Sequence, residues 1–213
     1  MTRPLRARID LQALAHNFSV ARNAAPNSRI MAVIKANAYG HGAVPVSRAL
    51  ASADAYAVAS VEEAMQLREA GIRQDIVLLE GVFEPAELEL AVTHQLQLVI
   101  HTPEQVHWLE TFRSDASLRL WLKLNTGMNR LGFSPREALP IWQRLQRLSY
   151  VKSAGLRWMS HLACADEYDN PATSRQLHSF VETLQLADSL QGARAERTPG
   201  AAARSSSSPD RPC

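Results

Sequence analysis

Lys35 is the residue whose type and position most directly suggest chemistry. It closes an apolar run that begins at Ile30, and such a run predicts a buried strand. A buried amine is costly unless it is paired, neutralised or consumed in a covalent bond. Gly40 and Gly42 follow and flank His41, which predicts a tight loop where backbone comes close to a ligand. An amine placed there suits a Schiff base with an aldehyde cofactor, although a lysine that snorkels from a strand end is the alternative.

A second group of basic residues lies on and after the segment 118–124. Four leucines of this segment fall on one face, while Arg119, Trp121 and Lys123 fall on the other. If the leucines meet outer helices, the cations line a barrel interior; an edge strand with one wet face is equally compatible. Arg130 follows in the next turn, where its planar fork could clamp a carboxylate or an oxyanion. Taken alone, it would more often be a surface residue.

Three further side chains are weaker candidates when judged singly. His161 comes at the end of an apolar run, where a histidine is usually a satisfied core residue, and Tyr39 is a loop aromatic. Cys164 is expected to pack as a small hydrophobe, since its thiolate has no evident partner. Asp166 and Glu167 are adjacent, so they point apart and do not form a general acid/base pair.

The elements that must position these residues alternate between short strands and helices. Six strand and helix units follow from Ile30, which predicts a parallel sheet with helices outside it. The predicted strands cover residues 5–9, 30–34, 56–59, 76–79, 98–100, 118–124 and 155–162. The predicted helices cover residues 11–22, 44–50, 61–70, 85–93, 103–112, 135–148 and 172–190. Because no early strand ends in a dinucleotide-type glycine fingerprint, we expect an incomplete TIM-type (β/α)8 barrel rather than a doubly wound sheet.

The chain divides into two regions by composition. Residues 1–190 carry the barrel pattern, whereas residues 191–213 contain no Val, Ile, Leu, Met, Phe, Trp or Tyr. Such a segment cannot bury enough apolar surface to offset its ordering entropy. We therefore predict a disordered or aberrant tail; a natural linker and a truncation or frameshift both explain it, and truncation is favoured because the pattern stops where a seventh strand would begin.

Overall composition narrows the class of protein. The 213 residues are 46% hydrophobic and carry a formal charge of +2, which gives no reason to expect binding to nucleic acid or to an anionic membrane. No apolar run approaches the roughly 20 residues of a spanning helix, and no signal peptide is evident. Two cysteines fit a reducing cytoplasm rather than a disulfide framework. Neither a zinc-type cluster nor a phosphate-binding loop is present in the sequence.

Three motifs resemble those of alanine racemase, in the order in which that family has them. Residues 33–42 resemble its pyridoxal-phosphate signature, residues 123–132 resemble its second motif, and residues 159–167 a third. The similarity runs from about residue 5 to residue 190 and points to the bacterial enzymes, the catabolic type in particular. Asn125 stands where relatives more often have aspartate.

The resemblance assigns a role to each candidate residue. It implies that Lys35 carries pyridoxal 5′-phosphate as an internal aldimine and acts as a catalytic base. It implies that Tyr39 contacts the cofactor phosphate and that His161 lies near the cofactor ring. Arg130 would contact the phenolic oxygen of the cofactor and the carboxylate of the substrate. Lys123 would be open to carbamylation, which turns a cation into an anion able to hold that arginine.

The implied reaction is the interconversion of L-alanine and D-alanine by a cytoplasmic homodimer. Relatives add a β-rich C-terminal domain, which supplies a tyrosine as the second base to the other subunit. That domain is absent from this sequence, so we expect impaired activity. Two alternatives stay open: a small single-domain carrier of pyridoxal phosphate on the same kind of barrel, and a fragment without function.

Overall fold

Six parallel strands form one sheet in which the strands lie in sequence order. The structure is a computed structural model that describes residues 6–167 and 169–196, with side chains described outside 152–154 and 191–196. The strands are β1 Met31–Val33, β2 Ala55–Val58, β3 Asp75–Leu78, β4 Leu96–Ile100, β5 Leu118–Lys123 and β6 Val151–Met159. The helices are α1 Leu11–Ala24, α2 Lys35–Tyr39, α3 Ala43–Ala49, α4 Val61–Glu69, α5 Glu87–Thr93, α6 Pro103–Thr111, α7 Pro135–Leu145 and α8 Ala172–Glu196.

The predicted incomplete (β/α)8 barrel is confirmed for the described residues. Each strand pairs in parallel with the strand before it, and helices connect the successive strands. Within the part of the chain that the structure describes, β1 and β6 are the two edges of the sheet. The result is a half-barrel with helices on its outer face, so the carboxyl ends of all six strands lie at one rim.

The alternation in β5 separates the outer face of the sheet from the inner face. Leu118, Leu120, Leu122 and Leu124 are buried in the core between sheet and helices. The inner face has its own small apolar layer, formed by Ala57, Val77, Val99, Met31, Leu79, Trp121 and Met159. The basic side of β5 therefore faces the barrel interior, and the edge-strand alternative does not apply.

Helix starts follow the capping signals in the sequence. Asp10 Oδ1 accepts hydrogen bonds from the backbone N–H groups of Gln12 and Ala13, both at 3.0 Å. Ser60 and Thr102 cap α4 and α6 in the same way. Each cap satisfies backbone donors that the first helical turn would otherwise leave unpaired.

Three predicted elements need correction. Residues 6–9 lie outside any strand, and residue 5 falls outside the described residues. Strand β6 spans Val151–Met159 instead of residues 155–162, because buried Val151 already pairs with Leu118. Helix α8 continues to Glu196, past the predicted boundary at residue 190, because the segment after it contains good helix formers. The rest of the predicted tail, residues 197–213, lies outside the described residues.

None of the helices in the described part of the chain is both long enough and apolar enough to cross a membrane.

Candidate active site

Lys35 begins an unusual turn at the carboxyl end of β1. Ile34 is buried, and the half-buried Lys35 follows it. The next four residues, 36–39, all have φ between 50° and 54°, so the turn is left-handed although none of them is glycine. A left-handed conformation costs roughly 1–2 kcal/mol per such residue, and strain of this kind persists only where surrounding contacts enforce it.

Side chains fix this left-handed turn at several points. The Ala36 N–H donates to Glu63 Oε1 at 2.6 Å, and the Ala43 N–H donates to Asn37 Oδ1 at 2.8 Å. His41 Nδ1 lies 2.8 Å from the Ala38 carbonyl oxygen. His41 therefore has a structural role. The loop that carries the Lys35 amine is held in place by these hydrogen bonds.

Lys123 is the second basic group at this rim, at the end of β5. Its side chain is buried, with 9% of the residue exposed. Burial lowers the pKa of the Lys123 amine below its ordinary value of 10.5, and the charges of Arg130 and Lys35 lower it further, whereas Glu80 acts in the opposite direction. Within the described residues Lys123 has no carboxylate at ion-pair distance, so no ion pair offsets the cost of burying its charged form.

The loop that carries Arg130 is folded back onto Lys123. The Phe133 N–H donates to the Lys123 carbonyl oxygen at 2.9 Å, which closes the loop. Gly132 has φ +102°, and a Cβ there would meet that same carbonyl oxygen at 2.8 Å; only glycine fits this close approach. Asn125 Oδ1 accepts from the Gly127 and Asn129 N–H groups at 3.1 and 3.0 Å, so this side chain organises the loop.

His161 lies two residues beyond β6 rather than within a strand. The residue is exposed, and partial desolvation lowers the pKa of its imidazole below the ordinary 6.5, with Arg130, Lys123 and Lys35 lowering it further in that order. The ring is therefore mainly neutral at pH 7. A neutral imidazole among cations can accept a hydrogen bond or contact an aromatic ring without adding to the charge.

Four of the five predicted site residues are brought together at one rim. The charges of Lys35, Lys123, Arg130 and His161 act on one another, and a small pocket at the β5 end contains three of them. That pocket is lined by Lys123, Leu124, Asn125, Thr126, Met128, Arg130, Leu131 and His161. Tyr39 lies on the left-handed turn and is 61% exposed; the structure gives it no hydrogen bond to the other four.

Two groups near Lys123 were not predicted from the sequence. Glu80 and His101 follow β3 and β4, the strands that precede β5 in the sheet. His101 Nε2 lies 3.0 Å from the Glu80 carbonyl oxygen, and burial lowers the pKa of His101. Neither residue stands in a recognisable motif, so the order of strands was the one signal that placed them beside Lys123.

The remaining candidates carry no chemistry. Burial, with Glu167 nearby, raises the pKa of the Cys164 thiol, which makes it a poor nucleophile. Asp166 and Glu167 are both exposed, as expected for a solvated loop edge. In the described ranges, no group of three or more His, Cys, Asp or Glu side chains could hold a metal ion.

The arrangement is suited to an anionic ligand. Lys35, Lys123 and Arg130 converge on one rim with Glu80 as their nearby carboxylate. Of the three, Lys123 is buried, Lys35 is half-buried and Arg130 is exposed, and an unpaired buried charge such as that of Lys123 is unfavourable unless a ligand compensates it. The donor set is therefore that expected for a ligand with phosphate or carboxylate groups, held beside a half-buried amine.

Comparison with known proteins supports this interpretation. A family model described as "Alanine racemase, N-terminal domain" matches residues 9–208. The alanine racemase of Aromatoleum aromaticum is 51% identical over 179 residues, which are 84% of this chain and 50% of that protein. The catabolic alanine racemase of Pseudomonas aeruginosa is 49% identical over 184 residues, which are 86% of this chain and 51% of that one.

Solved structures give the same result at the level of the fold. The crystal structure of biosynthetic alanine racemase from Pseudomonas aeruginosa has a TM-score of 0.82 and 45% identity, covering 87% of this chain and 51% of that one. Alanine racemase from Acinetobacter baumannii has a TM-score of 0.76 and 34% identity, covering 84% of this chain and 53% of that one. The chain spans about half the length of the relatives it matches. It belongs to the alanine racemase family, whose N-terminal domain it carries.

Proposed function

We propose that this chain binds pyridoxal 5′-phosphate through Lys35 and takes part in the interconversion of L-alanine and D-alanine. The observation that carries the proposal is a half-buried strand-end amine that shares one rim with two further cations, Lys123 and Arg130. The cofactor has an aldehyde that condenses with an amine and a phosphate that seeks cations, so the residues present fit it.

Each side chain has a task in this proposal. Lys35 would hold the cofactor covalently and then move a proton at the Cα of the substrate. When bound, the cofactor supplies an electron sink for that carbon. Arg130 would bind the substrate carboxylate and orient Cα toward Lys35, because its fork matches two carboxylate oxygens. Tyr39 would contact the cofactor phosphate.

Lys123 and His161 would adjust the charge around Arg130. The lowered pKa of Lys123 increases the neutral fraction of its amine, which is the form that reacts with CO2 to give a carbamate. A carbamate would hold Arg130 through a charged hydrogen bond. Neutral His161 would lie beside the cofactor ring without competing for its anionic groups.

The proposal extends to organisation. Residues 1–190 would act as the barrel portion, and residues 191–213 as a tail whose first six residues extend α8. Homodimerisation, and a tyrosine supplied as second base by a β-rich C-terminal domain of the other subunit, belong to the same proposal. We accordingly expect this chain alone to bind the cofactor while racemising alanine slowly.

Covalent trapping tests the assignment directly. The sequence contains three lysines, Lys35, Lys123 and Lys152, so borohydride reduction followed by peptide mass mapping can locate a pyridoxal adduct without ambiguity. We expect the adduct on Lys35, its loss in Lys35→Ala, and its retention in the matched variant Lys152→Ala. An adduct that survives Lys35→Ala, or that spreads evenly over the lysines, would contradict the proposal.

A carrier of pyridoxal phosphate is the second candidate function. It shares the Lys35 adduct but requires no proton transfer at the Cα of alanine. Exchange of the Cα proton of alanine for deuterium, followed by NMR with the loaded chain in D2O, separates the two. Exchange above the level given by free cofactor supports the racemase proposal, and its absence favours the carrier.

A further inference from the structure

Three polar side chains join the loops at the carboxyl rim of the sheet in pairs. They are Glu63 on α4, Gln105 on α6 and Gln176 on α8, each on the helix that follows an even-numbered strand. We propose that they are positioning residues that fix the loops after β1 and β2, after β3 and β4, and after β5 and β6 relative to each other. Any effect of these residues on cofactor attachment at Lys35 rests on the proposed function, whereas the pairing of the loops is independent of it.

Glu63 joins the first pair. Its Oε1 accepts from the Ala36 N–H, at the start of the left-handed turn, at 2.6 Å. Its Oε2 accepts from the Ala59 N–H, just after β2, at 2.8 Å. The carboxylate therefore connects the residue next to Lys35 with the neighbouring strand end.

Gln105 joins the second pair from an almost fully buried position, with 4% of the residue exposed. Its Oε1 accepts from the His101 N–H at 2.9 Å. Its Nε2 donates to the carbonyl oxygens of Glu80 and Val82 at 2.8 and 3.2 Å. One side-chain amide thus spans the two loops that carry the groups beside Lys123.

Gln176 joins the third pair and is 3% exposed. Its Oε1 accepts from the Ala163 N–H at 2.9 Å. Its Nε2 donates to the His161 carbonyl oxygen at 2.9 Å and to Thr126 Oγ1 at 3.2 Å. The loop that carries Arg130 and the loop that carries His161 therefore share one anchor in the core.

The type of each joining residue follows from its partners. Glu63 faces two N–H donors, which an acceptor-only carboxylate satisfies. Gln105 and Gln176 face a donor on one side and carbonyl or hydroxyl oxygens on the other, which requires an amide. Replacing Glu63 by glutamine would direct an NH2 group at an N–H, and replacing Gln176 by glutamate would direct a carboxylate at a carbonyl oxygen. Both changes conserve shape; the first disrupts one hydrogen bond, and the second removes the two that Gln176 Nε2 donates.

Helices after odd-numbered strands provide the internal contrast. Glu137 on α7 accepts from the N–H of its own cap, Ser134, at 2.9 Å. Glu87 on α5 accepts from the Phe83 N–H, within its own loop, at 2.6 Å. In the described part of the chain, these two carboxylates stay within one loop. Bridging is therefore not a general property of acidic residues at helix starts.

The experiment compares Glu63→Gln with Glu137→Gln in the full 213-residue chain without added cofactor. Amide hydrogen exchange is followed by NMR at Ala36 and Ala59. We expect both amides to be protected in the unmodified chain, and the one that faces the new NH2 group in Glu63→Gln to exchange about tenfold faster, as a lost charged hydrogen bond implies. Glu137→Gln should leave them unchanged.

Any of three results would overturn the pairing. Free-peptide exchange of Ala36 and Ala59 in the unmodified chain would overturn it without any variant. Equal effects of Glu63→Gln and Glu137→Gln would assign both to general destabilisation. Unchanged exchange in a folded Glu63→Gln would show that the carboxylate does not hold the turn.

A second measurement links the pairing to Lys35. The rate at which added pyridoxal 5′-phosphate forms the reducible adduct at Lys35 is compared in the same variants. We expect a severalfold slower rate in Glu63→Gln and the unmodified rate in Glu137→Gln. Equal rates in all three chains would remove the link to Lys35. Absence of any adduct in the unmodified chain would instead refute the proposed function and leave the exchange result standing.

Discussion

The two ends of the half-barrel interior use charged residues in opposite ways. At the amino end of the strands, Arg119 makes two hydrogen bonds to Asp75, of 2.8 and 2.6 Å. Beside that pair, Trp121 donates to Gln97 at 2.8 Å, and the Arg157 guanidinium lies 5.1 Å from the centre of the Trp121 ring. Each of these polar groups has a partner within the chain.

At the carboxyl end, the cations lack such partners. Lys35, Lys123 and Arg130 are in no salt bridge within the described residues. A folded chain gains stability by pairing buried charges and loses it by leaving them unpaired. The amino end therefore stabilises the sheet, while the carboxyl end leaves the buried Lys123 charge unpaired at a cost in stability, next to the half-buried Lys35 and the exposed Arg130.

The largest expected effect comes from breaking the pair at the amino end. Arg119→Met keeps the length of the side chain and leaves the Asp75 carboxylate without its bidentate partner. We expect the free energy of unfolding to fall by about 1–2 kcal/mol, since both side chains keep some contact with solvent. Urea unfolding measures it, with Arg144→Met as control, because that arginine forms a similar pair with Glu110 on the surface. An equal fall in the free energy of unfolding of Arg144→Met would show that the interior position of the Arg119–Asp75 pair gives it no additional stabilising effect.

A cation removed from the carboxyl end should have the opposite effect. Lys123→Met replaces a buried amine by an apolar side chain, and we expect the free energy of unfolding at pH 7 to rise by about 1 kcal/mol. Because the pKa of Lys123 is lowered in the folded state, unmodified protein binds fewer protons than the unfolded chain between that pKa and 10.5. The free energy of unfolding of the unmodified protein should therefore rise with pH in that window. Its difference from that of Lys123→Met should shrink accordingly. A lower free energy of unfolding for Lys123→Met than for the unmodified chain would contradict the contrast between the two ends of the half-barrel.

The smallest effect concerns the titration of His161. We expect NMR to give His161 a pKa below 6.5, and to move it upward in Arg130→Met, because Arg130 is the largest charge contribution to its shift. Arg119→Met at the far end should leave it unchanged. Since the folded pKa is the lower one, the His161 contribution to stability should be lost as pH falls through 6.5 and be constant above it. If Arg130→Met leaves the pKa of His161 unchanged, the charge of Arg130 does not act on this imidazole.

Much of the fold could be predicted from the sequence because apolar runs and caps are local signals. Asp10, Ser60 and Thr102 are residue types that favour helix N-caps, and each of them caps a helix in the structure. The left-handed turn could not be predicted, since residues 36–39 include no glycine and their φ angles are imposed by contacts with other loops. The end of β6 was misplaced because Ser160 turns its hydroxyl to the carbonyl oxygen of Leu124, a residue just beyond the end of β5.

The candidate site was predictable only in part for a related reason. Lys35, Lys123, Arg130 and His161 lie in recognisable motifs, and the sheet brings them to one rim. The contacts of Glu63 could not be foreseen, because its partners are backbone N–H groups, which every residue except proline has. Sequence patterns identify side chains that carry chemistry more readily than those that hold a loop in place.

The order of the strands also bears on how the chain can be built. In the described sheet, each strand after β1 pairs with the strand synthesised just before it. Its pairing partner is therefore already available when it emerges from the ribosome. Domains tend to fold from the amino terminus during synthesis, and neighbouring pairings close short loops. The strand that precedes Lys35 is the first to be made, and Glu63 emerges soon after β2. The lysine turn can thus be locked before the loop of Arg130 has been translated.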